Sequence, residues 1–177
     1  RREFIHAAAL GSLALSIPQV RAFGSNWSNN FELPKRVLGR TGERVSSIAF
    51  GGIMLNDHSP EFAKEIVSKA IELGVTYFDV APRYGNAEAK LGPALKPYRK
   101  NCVLACKTHE RGSEGAEKTL NQSLTYLETD YFDLFQLHAI TTRDDVEKAF
   151  APGGAMEVIE KAKQDGKIRY VGFSAHS

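Results

Sequence analysis

The chain has few cysteines and no apolar run long enough to cross a membrane. Only two of its 177 residues are cysteine, which excludes a disulfide-stapled fold. Cys102 and Cys106 lie on one predicted strand, about 13 Å apart, which is beyond disulfide reach. An apolar run near the N-terminus has about a dozen residues, short of the roughly 20 that span a bilayer. No stable membrane span is therefore predicted.

The sequence also lacks a strong charge of either sign. The formal net charge is +2, with 42% hydrophobic and 25% charged residues, which is typical of a globular protein. No stripe of lysine and arginine is present, so nucleic-acid binding has no support. Gly51 and Gly52 form only a pair and do not complete the G-x-G-x-x-G pattern, which argues against an open dinucleotide-binding sheet. No metal site is predicted.

The first residues have the layout of an export signal. Arg1-Arg2-Glu3-Phe4-Ile5 precedes the apolar run over 7–17, which ends at Pro18. The paired arginines resemble the twin-arginine motif. This predicts a signal peptide over 1–22, a linker over 23–34, the twin-arginine export machinery as a partner and a periplasmic location. An amphipathic N-terminal helix of the mature fold is the alternative interpretation.

From residue 35 onward, short apolar segments alternate with segments of helical spacing. A small hairpin is predicted over 36–45. Strands are predicted over 47–50, 75–78, 102–106, 134–137 and 168–173. Helices are predicted over 60–73, 88–95, 115–127 and 155–164. This alternation indicates βαβ units and a parallel sheet, and the nearly continuous apolar strands fit a sheet buried on both faces.

Polar residues stand at the carboxyl ends of four of these strands. They are Asp79, Lys107, His138 and Ser174. In a (β/α)₈ barrel these ends share one face, where the chemistry occurs. Strand alternation directs Lys107 and Asp79 to the barrel interior, and neighbouring strands lie about 4.8 Å apart, so Asp79 is the expected counter-charge for Lys107.

Tyr84 follows Asp79 in a loop that Pro82 and Gly85 shape. A phenol beside a lysine cation gives up its proton more easily, so Tyr84 is the expected proton donor. Each polar residue alone has a simpler explanation, such as a cap, a solvated charge or a satisfied buried histidine. Their joint placement at successive strand ends favours a functional site.

These residues resemble the signature of the aldo/keto reductase family. The resemblance rests on Phe78-Asp79-Val80-Ala81-Pro82-Arg83-Tyr84-Gly85, on Glu88 with Leu91-Gly92-Pro93-Ala94-Leu95, on Lys107, on Phe135-Gln136-Leu137-His138, and on Gly166-Lys167-Ile168-Arg169-Tyr170-Val171-Gly172-Phe173-Ser174. It covers the chain from about Arg36 to the end, and the C-terminal motif resembles that of bacterial members.

The resemblance implies a (β/α)₈ barrel enzyme that reduces a carbonyl substrate, an aldehyde or a ketone, to an alcohol. The implied cofactor is NADP(H), with NAD possible, bound without a Rossmann fold. The four catalytic positions correspond to Asp79, Tyr84, Lys107 and His138, with Tyr84 as proton donor. Cofactor contacts are implied for Gly52, Asp79 and Ser174, the last at the nicotinamide carboxamide.

A barrel of this type has about 250 residues. The α/β region over 35–177 is therefore expected to be incomplete, with about five of eight β/α units, and the chain alone is expected to be inactive. Two other functions stay open. One is a catalytically silent redox sensor or accessory subunit that binds the cofactor. The other is a barrel aldolase with Lys107 as Schiff-base nucleophile, which requires a neutral amine.

Overall fold

The computed structural model describes residues 33–175. Within them the strands are β1 (Lys35–Val37), β2 (Arg44–Ser46), β3 (Phe50–Gly51), β4 (Tyr77–Asp79), β5 (Val103–Thr108), β6 (Phe132–Leu137) and β7 (Ile168–Phe173). The α-helices are α1 (Pro60–Glu72), α2 (Ala87–Leu95), α3 (Ser113–Tyr126), α4 (Arg143–Phe150) and α5 (Ala155–Gln164). Two 3₁₀ helices cover Gly52–Leu55 and Lys96–Asn101.

The main sheet is parallel and winds in one direction. Its five strands follow the order β3-β4-β5-β6-β7, so each strand pairs with its neighbour in sequence. A doubly wound nucleotide-binding sheet reverses its order at a switch point, whereas a barrel does not. The architecture is therefore a partial (β/α) barrel with five strands, as the sequence predicts.

The hairpin predicted over 36–45 is also present. Its strands β1 and β2 pair antiparallel, and the segment between them contacts β7 through two polar groups. The hydroxyl of Tyr170 donates to the carbonyl of Thr41 over 2.9 Å, and Arg169 pairs with Glu43. The hairpin is thereby joined to the amino-terminal half of the last strand.

Helix boundaries follow local signals. In α1, Ser59 accepts a hydrogen bond from the Phe62 amide, Pro60 occupies the first turn, and Gly74 follows the helix with φ of 88°. A serine cap, an early proline and a terminal left-handed glycine each favour a helix of these bounds. The apolar side of α1, with Ala63 and Val67 fully buried, packs into the core.

Alternation along the strands separates two faces of the sheet. Phe78, Leu104 and Cys106 belong to the apolar core between sheet and helices. Asp79 and Lys107 lie on the opposite face, which is the interior of the barrel. The sequence pattern therefore assigns these side chains to the correct faces.

Several predicted boundaries are wrong. The strand predicted over 47–50 is reduced to Phe50–Gly51, and Ile48 is 58% exposed, because the residues after β2 form a bend. The strand predicted over 102–106 begins one residue later and continues to Thr108. Helix α4 has no counterpart in the sequence prediction. It has only eight residues, too few for hydrophobic spacing to mark a helix, and only Ala149 of them is buried.

At the amino-terminal end of the strands, Arg99 binds β5 and β6 together. Its guanidinium donates four hydrogen bonds, to Asp133 (2.8 Å), to the carbonyls of Cys102 (3.1 Å) and Tyr131 (2.8 Å), and to the Thr129 hydroxyl (3.1 Å). The carboxylate of Asp133 is 2% exposed. A buried charge needs such a complete set of partners.

The predictions for the N-terminal segment concern residues that the structure mostly does not describe. The signal peptide predicted over 1–22 lies outside the described residues, as does the linker over 23–34 except for its last two. Leu33, the first described residue, is buried in the core. Among residues 33–175, none of the helices combines the length and apolar character needed to cross a membrane.

Candidate active site

An ion pair between neighbouring strands lies at the centre of the site. The Lys107 ammonium donates to Asp79 Oδ1 over 2.5 Å and to the Val80 carbonyl over 3.2 Å. The parallel register aligns Asp79 with Ala105, two residues before Lys107 on the same face. The lysine side chain therefore extends back along the sheet to reach the carboxylate. The expected pairing of Asp79 with Lys107 is present.

The loop after β4 brings a phenol to this pair. The Lys107 ammonium lies 5.2 Å from the centre of the Tyr84 ring. Gly85 has φ of 61°, and a Cβ there would lie 1.9 Å from Asn56 Oδ1. This left-handed conformation favours glycine, and a larger residue would also have to displace the Asn56 side chain. The same Asn56 oxygen accepts from the amide of Asn86, which fixes the loop that carries Tyr84.

An imidazole follows the end of β6. His138 is 7% exposed, and its backbone amide donates to the Thr108 carbonyl over 2.8 Å, which extends the sheet by one residue. The Tyr84 and His138 rings meet edge to face, with centres 5.9 Å apart and planes at 88°. The structure thus brings together all four residues that the sequence predicts as catalytic. Their chemical roles stay predictions.

A second imidazole packs against the first. The ring centres of His109 and His138 lie 4.0 Å apart. Burial, together with the cationic Arg83 and Arg111 nearby, lowers the pKa of His109 below its usual value. The lowered pKa favours the neutral form of His109 near neutral pH, and its ring packs against that of His138 with the planes at 41°.

Of the three residues predicted to contact a cofactor, Asp79 is described above, and Ser174 and Gly52 occupy different environments. Ser174 follows β7, and its hydroxyl oxygen accepts from the Ala139 amide over 3.0 Å. Its own O–H has a direction left to donate to a ligand. Gly52 is packed so tightly that a Cβ would lie 2.8 Å from the Asp79 carbonyl oxygen. Packing alone accounts for that glycine, and its cofactor contact stays a prediction.

A second phenol lies near the same carboxylate. Tyr77 precedes Asp79 by two residues on β4, on the same face of the sheet. Burial, with a smaller effect of the Asp79 charge, raises the pKa of Tyr77 to about 12. Tyr77 therefore keeps its proton firmly, which makes it a poor donor for acid catalysis near neutral pH.

Sequence reasoning missed three residues of this site: Asn56, His109 and Arg111. His109 and Arg111 come two and four residues after Lys107, just past the carboxyl end of β5, and this position was the available signal. Arg111 donates to the carbonyls of His138 and Ala139 over 2.8 and 3.1 Å. Asn56 has no sequence signal, because its contact with Gly85 depends on tertiary packing.

Comparisons with known proteins agree with this geometry. A profile described as the aldo/keto reductase family matches residues 47–177. The uncharacterized oxidoreductase YqkF of Bacillus subtilis is 34% identical over 155 residues, which cover 80% of this chain and 48% of that protein. The aldo-keto reductase yakc [NADP(+)] of Schizosaccharomyces pombe is 29% identical over 162 residues, covering 80% and 45%.

A solved structure shares the fold as well. The holo form of an aldo-keto reductase from Bacillus halodurans superposes with a TM-score of 0.70 at 32% identity, over 81% of this chain and 50% of that one. Five parallel strands in barrel order and an acid, an amine, a phenol and an imidazole at one edge define a class of barrel oxidoreductases. The chain belongs to the aldo/keto reductase family. It spans about half the length of the curated relatives it matches.

Proposed function

We propose that the full-length protein is an NAD(P)H-dependent oxidoreductase that reduces an aldehyde or ketone to an alcohol. The observation that supports this most directly is the convergence of the Asp79–Lys107 pair, Tyr84 and His138 at the carboxyl ends of three neighbouring strands. Each of the four supplies a different part of the reaction.

Reduction of a carbonyl requires a hydride at carbon and a proton at oxygen. A bound reduced nicotinamide supplies the hydride. Tyr84 donates the proton to the carbonyl oxygen as negative charge develops there. The Lys107 ammonium, held by Asp79, stabilises the charge that this transfer leaves on the phenol oxygen. His138, at the edge of the Tyr84 ring, donates a hydrogen bond to the same substrate oxygen and orients the carbonyl.

The residues at the site fit a nicotinamide. Its carboxamide oxygen needs a donor, and the Ser174 hydroxyl has one available beside its bond to Ala139. Ser174 follows β7, next to the strand that leads to His138. We propose NADP(H) as the cofactor, with Asp79 and Gly52 as further contacts. The name of the Schizosaccharomyces pombe relative, which includes NADP(+), supports this choice over NAD.

The aldolase alternative is disfavoured by the bonds of Lys107. A Schiff-base nucleophile attacks through a free lone pair on nitrogen. The Lys107 nitrogen instead donates to Asp79 and to the Val80 carbonyl, and its side chain is only 5% exposed. We expect no trapped lysine adduct when the protein is treated with borohydride and a carbonyl compound.

We also propose that the protein is exported through the twin-arginine route, which carries folded proteins. The proposal rests on Arg1-Arg2 and the apolar run that follows. Replacing both arginines by lysine should keep the protein in the cytoplasm, as measured by cell fractionation. Periplasmic recovery of the lysine variant at an undiminished level contradicts export by this route.

Tyr84→Phe in the full-length protein tests the proposed reaction. Loss of a general acid lowers the rate by about 100- to 10,000-fold, so the kcat for NADPH-dependent carbonyl reduction should fall within that range. Tyr126→Phe is the matched control, because Tyr126 lies on the surface of α3 and is 44% exposed. An unchanged kcat in Tyr84→Phe contradicts the role of Tyr84. Absence of any NADPH-dependent carbonyl reduction by the wild-type protein would instead favour the silent-subunit alternative.

A further inference from the structure

Arg111 connects three parts of the candidate site through one guanidinium group. Nη2 donates to the carbonyls of His138 (2.8 Å) and Ala139 (3.1 Å), Nη1 donates to the His109 carbonyl (3.0 Å), and Nε donates to Asp145 Oδ1 (3.0 Å). The Arg111 side chain is 14% exposed. It lies at the same end of the sheet as the proposed catalytic residues, and three of its four hydrogen bonds are to the backbone at and next to the two imidazoles.

The backbone held by Arg111 is in an unfavourable conformation. Ala139, directly after His138, has φ of 54°. Residues other than glycine rarely adopt this left-handed region, so surrounding contacts must maintain it. Arg111 donates to the carbonyls of His138 and Ala139, and the Ala139 amide donates to the Ser174 hydroxyl oxygen. The direction of the His138 side chain therefore depends on contacts from outside its own strand.

Asp145 fixes the guanidinium in turn. Its carboxylate accepts from Arg111 Nε, and it accepts from the Thr142 amide in the capping box that begins α4. Hydrogen bonds from the Thr141 backbone, the Thr142 side chain and Arg111 lower the pKa of Asp145. The helix α4, which sequence spacing did not reveal, thus supplies the anchor for Arg111.

We propose that Arg111 is a positioning residue for His138. It stabilises the left-handed turn at Ala139 and so directs the imidazole towards Tyr84 and the substrate oxygen. This inference rests on the proposed reductase function for its kinetic consequence. The effect on the imidazole itself is independent of that function.

Arg99 provides a matched control within the same chain. It also donates four hydrogen bonds, pairs with one aspartate and is 10% exposed. It acts on the same two strands, but at their amino-terminal ends, away from the site. Arg111→Lys and Arg99→Lys each keep the charge and lose the planar fork of donors. We expect both variants to be less stable than wild type. Only Arg111→Lys should change the orientation of the His138 imidazole.

The test compares both variants in the full-length protein by two measurements. In steady-state carbonyl reduction with NADPH, kcat/KM should fall about 10- to 100-fold in Arg111→Lys, since small misplacements of a reacting group have effects of that size. It should stay within twofold of wild type in Arg99→Lys. In NMR spectra of the histidine rings, the His138 resonances, identified by their loss in His138→Gln, should move in Arg111→Lys and stay in place in Arg99→Lys.

The outcomes separate this proposal from the proposed function. His138 resonances that stay in place in Arg111→Lys overturn the positioning role, whatever the activity. A wild-type protein that reduces no carbonyl overturns the reductase function, and the ring resonances then still decide on Arg111. If Arg111→Lys does not fold, Asp145→Asn replaces it, because that change loosens the guanidinium and leaves it in the chain. Unmoved resonances in Asp145→Asn overturn the proposal in that case.

Discussion

The Lys107 ammonium and the Asp79 carboxylate form an ion pair whose two members differ in burial. The nitrogen and oxygen are 2.5 Å apart, the lysine side chain is 5% exposed and the aspartate side chain is 27% exposed. The carboxylate thus keeps contact with water, whereas the ammonium depends on Asp79 and on the Val80 carbonyl. Removing Asp79 and removing Lys107 should therefore lower the free energy of unfolding by different amounts.

Asp79→Asn should cost about 3 kcal/mol of the free energy of unfolding, since it leaves a buried ammonium without its counter-charge. Lys107→Met should cost about 1 kcal/mol or less, because the carboxylate that remains is partly hydrated. Urea denaturation of the two full-length variants at neutral pH measures the difference. Equal costs would mean that the two charges are equally well solvated without each other, against the burial described above.

Polar residues at the ends of apolar strands make much of this site predictable from the sequence. Each apolar strand ends at or near a polar residue, and a parallel sheet brings the carboxyl ends of its strands to one edge. Asp79, Lys107 and His138 could therefore be placed together without knowing any loop. Tyr84 could be added because its loop is short and begins at Asp79.

Other parts depend on contacts that leave no local pattern. The strand Phe50–Gly51 is too short for alternation to mark, and it exists because it pairs with β4. The sequence places Arg111 just after β5. Its hydrogen bonds, however, depend on the turn at Ala139 and on Asp145 in the cap of α4. Thr142 and Asp145 did carry a signal for that helix, since a threonine followed three residues later by an acidic residue resembles a capping box.

Glu88 introduces a pH-dependent loss of stability outside the site. This carboxyl is 5% exposed and lies 3.4 Å from the Cys106 sulfur. Burial raises the pKa of Glu88 above its ordinary 4.5, against smaller opposite effects of Ser123 and Cys106. The folded state thus binds the proton more tightly than the unfolded state. The stability that protonated Glu88 contributes is fully present below pH 4.5. It is lost as the pH rises through the pKa of Glu88 in the folded state.

Glu88→Gln should therefore stabilise the protein at pH 8 by on the order of 1 kcal/mol and change little at pH 4. Urea midpoints of wild type and variant at both pH values test this. Glu147→Gln, on the exposed side of α4, is the control and should show no such difference. A variant that is destabilised at pH 8 would indicate that the Glu88 charge is favourably bound in the fold.

The two cysteines should be unreactive in the native protein. Both are free thiols, and burial raises the pKa of Cys102 to about 11 and that of Cys106 well above its usual value. The thiolate is the reactive form, so iodoacetamide at pH 8 should modify them about 100-fold more slowly than in urea. Peptide mass spectrometry separates the two sites. Rapid native-state modification of Cys106 would contradict its burial.

An apolar groove lies beside the last strand of the sheet. It has a volume of about 380 Å³ and is lined by residues that include Ile140, Phe150, Met156 and Phe173. Phe150 is 64% exposed and Phe173 is 66% exposed. Among residues 33–175, β7 is the outer strand on this side of the sheet. In a polypeptide limited to residues 1–177, an outer strand beside exposed apolar side chains favours association between chains.

A polypeptide of residues 1–177, expressed by itself, should therefore self-associate and show no carbonyl reduction with NADPH. Phe173→Lys should shift its sedimentation profile towards monomer, because a charge next to the edge strand opposes pairing with a second copy. Leu73→Lys is the control. Leu73 is also apolar and 45% exposed, but it follows α1, which connects β3 and β4 at the opposite edge of the sheet. Equal effects of the two changes would mean that association does not use the groove, and robust reduction by this polypeptide would show that five strands suffice for the reaction.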